Sequence, residues 1–173
     1  IRNARCAPCP RGTTCLEPPP EMRQLILDLL PETTASFDNF VTGGNAETLT
    51  GLAAWLAPES REPAFFLWGS TAAGKTHLLH ASGARYCDAK INLDLSGLDE
   101  NSRFHAIDNV DALNAGGQIA LFNLFNRLRA GGGRLLAAAG AAPRQLTVRE
   151  DLRTRLASGL VYRLQALSDD EKM

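Results

Sequence analysis

Along residues 46–57 the apolar side chains Leu49, Leu52, Ala53 and Leu56 recur at i, i+3, i+4 and i+7. That spacing makes one face of a helix, and Pro58 stops it. Residues 64–68 (Ala-Phe-Phe-Leu-Trp) are different, an unbroken apolar run of strand length, as expected for a strand covered on both faces. The run passes directly into a glycine-bounded stretch, residues 69–76, and then into a helical pattern over 77–85. Further strand-like runs fall at 90–95, 103–107, 134–139 and 160–164. A second clear helix spans 118–129, with Leu121, Leu124, Phe125 and Leu128 on one side, and a shorter one spans 150–157, with Leu152 and Leu156 one turn apart. Strands alternating with helices predict an α/β fold of three layers, a parallel sheet with helices on both faces. There is no internal repeat.

The stretch between the first strand and its helix reads Gly69-Ser70-Thr71-Ala72-Ala73-Gly74-Lys75-Thr76, a match to G-x-x-x-x-G-K-[ST]. Glycines let the backbone wrap until successive N–H groups face one anion-sized hollow, and the helix N-terminus that follows adds positive potential. In such a loop Lys75 reaches the β- and γ-phosphates, and the Thr76 hydroxyl ligates Mg²⁺. The loop therefore predicts ADP or ATP as cofactor, with Mg²⁺.

Residues 103–109 read as a strand ending in Asp108, the carboxylate that would hold Mg²⁺ or its water shell beside Thr76. A hydrolytic site wants another carboxylate to orient the attacking water. Asn109 occupies that place, and an amide cannot take a proton; Asp111 is the residue able to compensate. His105 alternates with apolar neighbours and reads as a packed side chain. Nucleotide binding is thus better supported than turnover. A phosphotransferase would need an acceptor-binding carboxylate and a substrate lid, and the sequence offers a candidate for neither.

Charge changes the picture little. The chain has 173 residues with 18 basic and 19 acidic side chains, which argues against a protein that coats phosphate backbones non-specifically. No apolar run approaches a membrane span, and the expected location is the cytoplasm. Residues 1–21 hold three of the four cysteines and most of the prolines. Cys6 and Cys9 form a lone C-x-x-C without a second ligand pair for zinc, so this stretch reads as a disordered or non-native leader, with Met22 as the expected start.

Beyond these motifs the sequence resembles the DnaA branch of the AAA+ ATPases. The resemblance rests on the opening motif F-D-N-F-V-T-G-G-N at 37–45, on G-K-T-H-L-L at 74–79 with its His77 after the threonine, and on their order. I-D-N-V at 107–110, L-F-N-L-F-N-R-L-R at 121–129, P-R-Q-L at 143–146 and the run 151–169 point more specifically to the Hda family, the DnaA-related regulatory inactivators of replication initiation. Similarity extends over residues 22–173. It implies an AAA+ core over 32–173, in which Phe40 and Val41 lie near the adenine. It implies that residues 22–31 dock on the DNA polymerase III sliding clamp (β subunit) through Gln24, Leu25, Leu27, Leu29 and Leu30. An ordinary N-terminal element packing on its own domain is an equal reading of that segment. It also implies that Arg155 is an arginine finger reaching the nucleotide of a neighbouring subunit; eight arginines lie between Arg127 and Arg163.

The implied function is negative regulation of replication initiation. Nucleotide bound and tail on the clamp, the protein would stimulate ATP hydrolysis by DnaA in trans, touching DNA only through the clamp and forming a homo-oligomer as an open option. A motor or helicase loader of the same branch, hydrolysing its own ATP, is the alternative. Three features depart from the family pattern. The sensor-1 position falls in the bare stretch 137–140; the link 96–102 is too short for a crossover helix between strands; and the chain ends where the small helical lid should begin, so the lid reads as absent or truncated.

Overall fold

In the structure, a computed structural model, residues 34–99 and 101–167 are described. The cysteines Cys6, Cys9 and Cys15 and the proposed tail residues Gln24, Leu25, Leu27, Leu29 and Leu30 lie outside them. Within the described residues five strands form one sheet: β1 (Ala64–Trp68), β2 (Arg85–Asp88), β3 (Phe104–Asp108), β4 (Arg134–Ala139) and β5 (Leu160–Arg163), in the order β2-β3-β4-β1-β5. Every pairing is parallel, so each strand must be re-entered by a crossover. Among the described residues four helices supply cover: α1 (Ala46–Leu56), α2 (Lys75–Ala81), α3 (Ala115–Ala130) and α4 (Glu150–Ala157).

The period of two along the central strands explains the three layers. Phe65 and Leu67 of β1, Ala106 of β3, and Leu136 and Ala138 of β4 pack with Leu52, Trp55, Leu78 and Leu79 of α1 and α2. Their sequence neighbours Phe66, Ile107, Leu135 and Ala137 pack on the opposite face with Leu121, Leu124, Phe125 and Leu128 of α3 and Leu152 and Leu156 of α4. Both faces of β1 and β4 are therefore dry, which is why those strands read as unbroken apolar runs.

Four elements differ from the sequence reading. The buried face of α1 is turned toward Thr48, Leu52 and Trp55, while Ala53 is exposed. Polar anchors cause the rotation: Thr48 Oγ1 donates to the Arg163 carbonyl at 3.0 Å, and Trp55 Nε1 donates to the Glu62 carbonyl at 2.9 Å. Helix α2 stops at Ala81 instead of running to 85, because Ser82 Oγ bonds the Leu79 carbonyl and Gly83 turns left-handed at φ 70°.

The second strand is Arg85–Asp88, not 90–95. Residues 92 and 94 bend the chain locally: Asn92 Oδ1 and Asp94 Oδ1 both accept from the Ser96 N–H, at 3.1 and 3.0 Å, and Leu95 sits at φ 56°. The shift also removes the difficulty over the short crossover. Chain from 89 to 103 now joins β2 to β3, with no helix among its described residues; it is held against the start of α3, where Asn114 N–H donates to the Leu93 carbonyl at 3.1 Å. Finally, α3 begins three residues before the predicted 118, capped by Asn114 Oδ1 accepting from Gly117 N–H at 2.8 Å.

No helix among the described residues is long and apolar enough to cross a membrane. His105 is fully buried on β3, as its alternation predicts; one ring nitrogen, Nε2, meets the Ser102 carbonyl at 3.1 Å, and Nδ1 has no partner among the described residues. Burial holds this imidazole below its ordinary pKa of 6.5. The unfolded chain takes up a proton there that the folded chain refuses, so stability falls as pH drops below that value. His105→Leu should flatten the loss of stability between about pH 7 and 5, read by urea unfolding; a slope equal to that of the wild type would contradict the assignment.

Candidate phosphate-binding site

The loop after β1 is fixed at both ends. Trp68 ends a strand paired on one side with β4 and on the other with β5, and the Leu164 N–H donates to the Trp68 carbonyl at 2.7 Å. A Cβ at Gly69 would stand 2.1 Å from the Leu164 carbonyl oxygen, so only glycine lets β5 leave the sheet this close to the loop. At the other end Gly74 is left-handed at φ 94°, directly before α2, and a Cβ there would meet the Phe40 ring at 2.6 Å. Ala72 is also left-handed, at φ 61°. Left-handed residues interleaved with right-handed ones turn main-chain amides toward a common hollow, the concavity that accepts anions.

Lys75 is turned into the loop. Its Nζ donates to the Gly69 carbonyl at 2.8 Å and to the Ser70 carbonyl at 2.7 Å. Burial lowers its pKa, opposed by the negative charges of Asp108 and Asp111. Thr76 Oγ1 donates to Asp108 Oδ2 at 2.5 Å, joining the start of α2 to the end of β3. Asp108 is buried, and its other oxygen accepts from the Asn109 N–H at 2.8 Å. These residues fit a polyphosphate: amides and one ammonium for its oxygens, and a hydroxyl–carboxylate pair placed to hold a divalent ion with its water. Among the described residues no group of three or more His, Cys, Asp or Glu could hold a metal alone. A Mg²⁺ here would depend on the phosphates for most of its shell.

The segment leading to α1 is fastened to α2. Ser36 and Asn39 bond each other reciprocally, Ser36 N–H to Asn39 Oδ1 at 2.9 Å and Asn39 N–H to Ser36 Oγ at 3.3 Å. The Ser36 carbonyl meets His77 Nε2 at 2.8 Å, and the Phe40 ring lies 5.5 Å from the His77 ring. Phe40 and His77 thus meet at the loop, whereas Val41 beside them is 54% exposed.

Asp111 follows β3 in a short 3-10 turn, and its Oδ2 lies 3.5 Å from where a Gly140 side chain would begin. The end of β4 therefore carries no polar side chain of its own, as the bare stretch 137–140 predicts, but has a carboxylate against it. Arg155 lies in the last turn of α4, half-buried, with its guanidinium 5.9 Å from the Phe122 ring centroid.

Three site residues escaped the sequence reading. Tyr86 donates to Asp108 Oδ2 at 3.4 Å, and its hydroxyl pKa is raised by burial and by Asp108 and Asp88. Asp88 ends β2 in register with Asp108 and accepts from Asn109 Nδ2 at 2.8 Å. Both were hidden by placing the second strand too late. Arg163, 5.3 Å from the Trp68 ring centroid, lines a cleft of about 600 Å³ beside Gly69, Ser70 and Gly140.

Fold and site define an AAA+-type α/β domain built around a phosphate loop. More particularly, residues 31–106, under half of the chain, match the sequence profile of the bacterial DnaA ATPase domain. Domain III of the replication initiation protein DnaA from Thermotoga maritima shares the fold with a TM-score of 0.68, at 24% identity over 83% of this chain and 72% of that one. A crystal structure of a DNA replication initiation factor gives a TM-score of 0.71, at 23% identity over 84% of this chain and 53% of that one. AMPPCP-bound DnaA from Aquifex aeolicus gives 0.66, at 22% identity over 76% and 50%. The chain thus spans about half the length of two of these three proteins.

Gly74→Ala tests the loop geometry. The left-handed backbone alone should cost about 1–2 kcal/mol, and the clash with Phe40 should add to it. Urea unfolding should show part of the loss recovered by adding Phe40→Ala; no recovery would mean that the ring does not press on the loop.

Proposed function

We propose that this chain binds an adenine nucleotide in the loop 69–76 and acts as a regulator of replication initiation of the Hda kind. The observation that carries the reading is an intact phosphate loop beside a strand end whose second acidic position is an amide, Asn109, already committed to Asp88. That combination favours holding a nucleotide over turning it over. Lys75 and the loop amides bind the phosphates, Thr76 and Asp108 hold Mg²⁺, and Phe40, Val41 and His77 border the adenine side. The Aquifex aeolicus DnaA bound to AMPPCP has the same fold.

In this reading the nucleotide-bound protein works on a neighbour. The tail residues Gln24, Leu25, Leu27, Leu29 and Leu30 dock on the sliding clamp of DNA polymerase III, and Arg155 faces ATP on DnaA. A fixed guanidinium at the γ-phosphate offsets the charge that develops in transfer, so DnaA hydrolyses its ATP and initiation is restrained. The clamp, not this chain, carries the contact with DNA.

One observation favours the alternative, an ATPase that turns over its own nucleotide: Asp111, in electrostatic reach of Lys75 and against the end of β4. Steady phosphate release by the isolated protein at several turnovers per minute would select that reading.

Lys75→Ala should abolish the thermal stabilisation conferred by ADP or ATP, worth about 2.7 kcal/mol when ligand stands at 100 times its Kd. A melting shift as large as that of the wild type would overturn the loop assignment. Arg155→Ala should leave folding and nucleotide binding intact and remove the stimulation of DnaA hydrolysis. Arg155→Lys should fail as well, because an ammonium lacks the planar fork; full stimulation by either variant would refute the finger.

A further inference from the structure

Register places Asp88 and Asp108 side by side at the ends of adjacent parallel strands, Asp108 buried and Asp88 half-buried. Two such carboxylates repel unless donors lie between them. Asn109 supplies both donors. Its main-chain N–H donates to Asp108 Oδ1 at 2.8 Å, and its side-chain Nδ2 donates to Asp88 Oδ1 at 2.8 Å. The same Asp88 oxygen accepts from the Lys90 N–H at 2.9 Å, which fixes the carboxylate facing the amide. Asn109 holds a left-handed backbone, φ 52° and ψ 45°, a conformation that asparagine tolerates better than most residues. The Lys75 ammonium offsets part of the Asp108 charge while bonded to the Gly69 and Ser70 carbonyls, and the Tyr86 hydroxyl is given to Asp108, so neither donates a hydrogen bond to Asp88.

We propose that Asp88 is a positioning residue that selects an amide at 109, and so keeps a carboxylate out of the place beside Asp108 from which ATP hydrolysis would draw its base. The identity of residue 109 is then set from the neighbouring strand. A carboxylate at 109 would point an unprotonated oxygen at Asp88 across hydrogen-bond distance, leaving two charges to share one proton or separate. Exchanging the pair removes the conflict: with an amide at 88 and a carboxylate at 109 the bond re-forms with donor and acceptor reversed. A free carboxylate oxygen at 109 can then hold the proton that water gives up as it adds to the terminal phosphorus, while the bond to the bridging oxygen breaks and its electron pair leaves with ADP. This consequence rests on the reading of 69–76 as a nucleotide loop; the pairing itself does not.

The test compares the wild type, Asn109→Asp, Asp88→Asn and the double variant by thermal melting without nucleotide and by phosphate release from ATP with Mg²⁺. Asn109→Asp should melt lower by about 3 °C or more and release phosphate no faster than the wild type. The double variant should regain most of that melting temperature and release phosphate at least about tenfold faster than the wild type, the low side of what a positioned base contributes. A double variant no more stable than the summed single effects overturns the pairing. One that regains stability but releases phosphate at the wild-type rate overturns the role of residue 109 in withholding hydrolysis. The ATP-induced melting shift, measured on the same four proteins, reports the nucleotide reading separately: absent from all four, it counts against the loop and leaves the pairing judged on stability alone.

Discussion

The hydrogen bond from Thr76 to Asp108 reaches across β4, the strand between those that carry the loop and the acid. The loop follows β1 and the carboxylate ends β3, yet these strands are not neighbours; β4 lies between them. The two groups meet because β4 is buried on both faces and its last residues are alanines, which leave no side chain standing between the loop and the acid. Helix α2 packs against β3 and β4 and carries Thr76 at its start, so the loop, the helix and the acid share one rigid frame. That frame is a product of strand order and apolar packing, and every polar contact in the site is laid upon it.

Polar groups around that frame are paired with one another. Lys75 is bonded to loop carbonyls, Thr76 and Tyr86 to Asp108, and Asn109 to Asp88. Phosphate would exchange the lysine's carbonyl partners for charged oxygens, a trade of neutral for charge-assisted bonds that favours the ligand. The second acidic position offers no such trade, because its amide is held from β2. In the proposed reading, binding and turnover are thereby separated within a few residues of chain.

Much of this was legible in the sequence, and the failures have physical causes. The run 64–68 and helix 150–157 were readable because one state satisfies their pattern: a doubly covered strand has no polar face, and Leu152 and Leu156 share one helix turn. The phosphate loop was legible because its glycines answer to local geometry at residues 69 and 74. The second strand was misplaced because Ile91, Leu93 and Leu95 alternate as a strand would, while Asn92 and Asp94 capture nearby backbone that periodicity does not register. The true strand, Arg85–Asp88, lies at the edge of the sheet, with only β3 beside it among the described residues, and its polar residues give no apolar signal. Tyr86 and Asp88 were lost with it. The Asp88–Asn109 bond joins residues whose closeness comes from β-sheet register, which no local motif encodes.

Titration calorimetry of the protein with ADP and with ATP bears most directly on the central claim, that the amides and lysine of residues 69–76 grip a polyphosphate. The account predicts one saturable site per chain for an adenine nucleotide, competed by the other nucleotide and not by adenosine, which has no phosphate. An absence of saturable heat, or equal competition by adenosine, would contradict it.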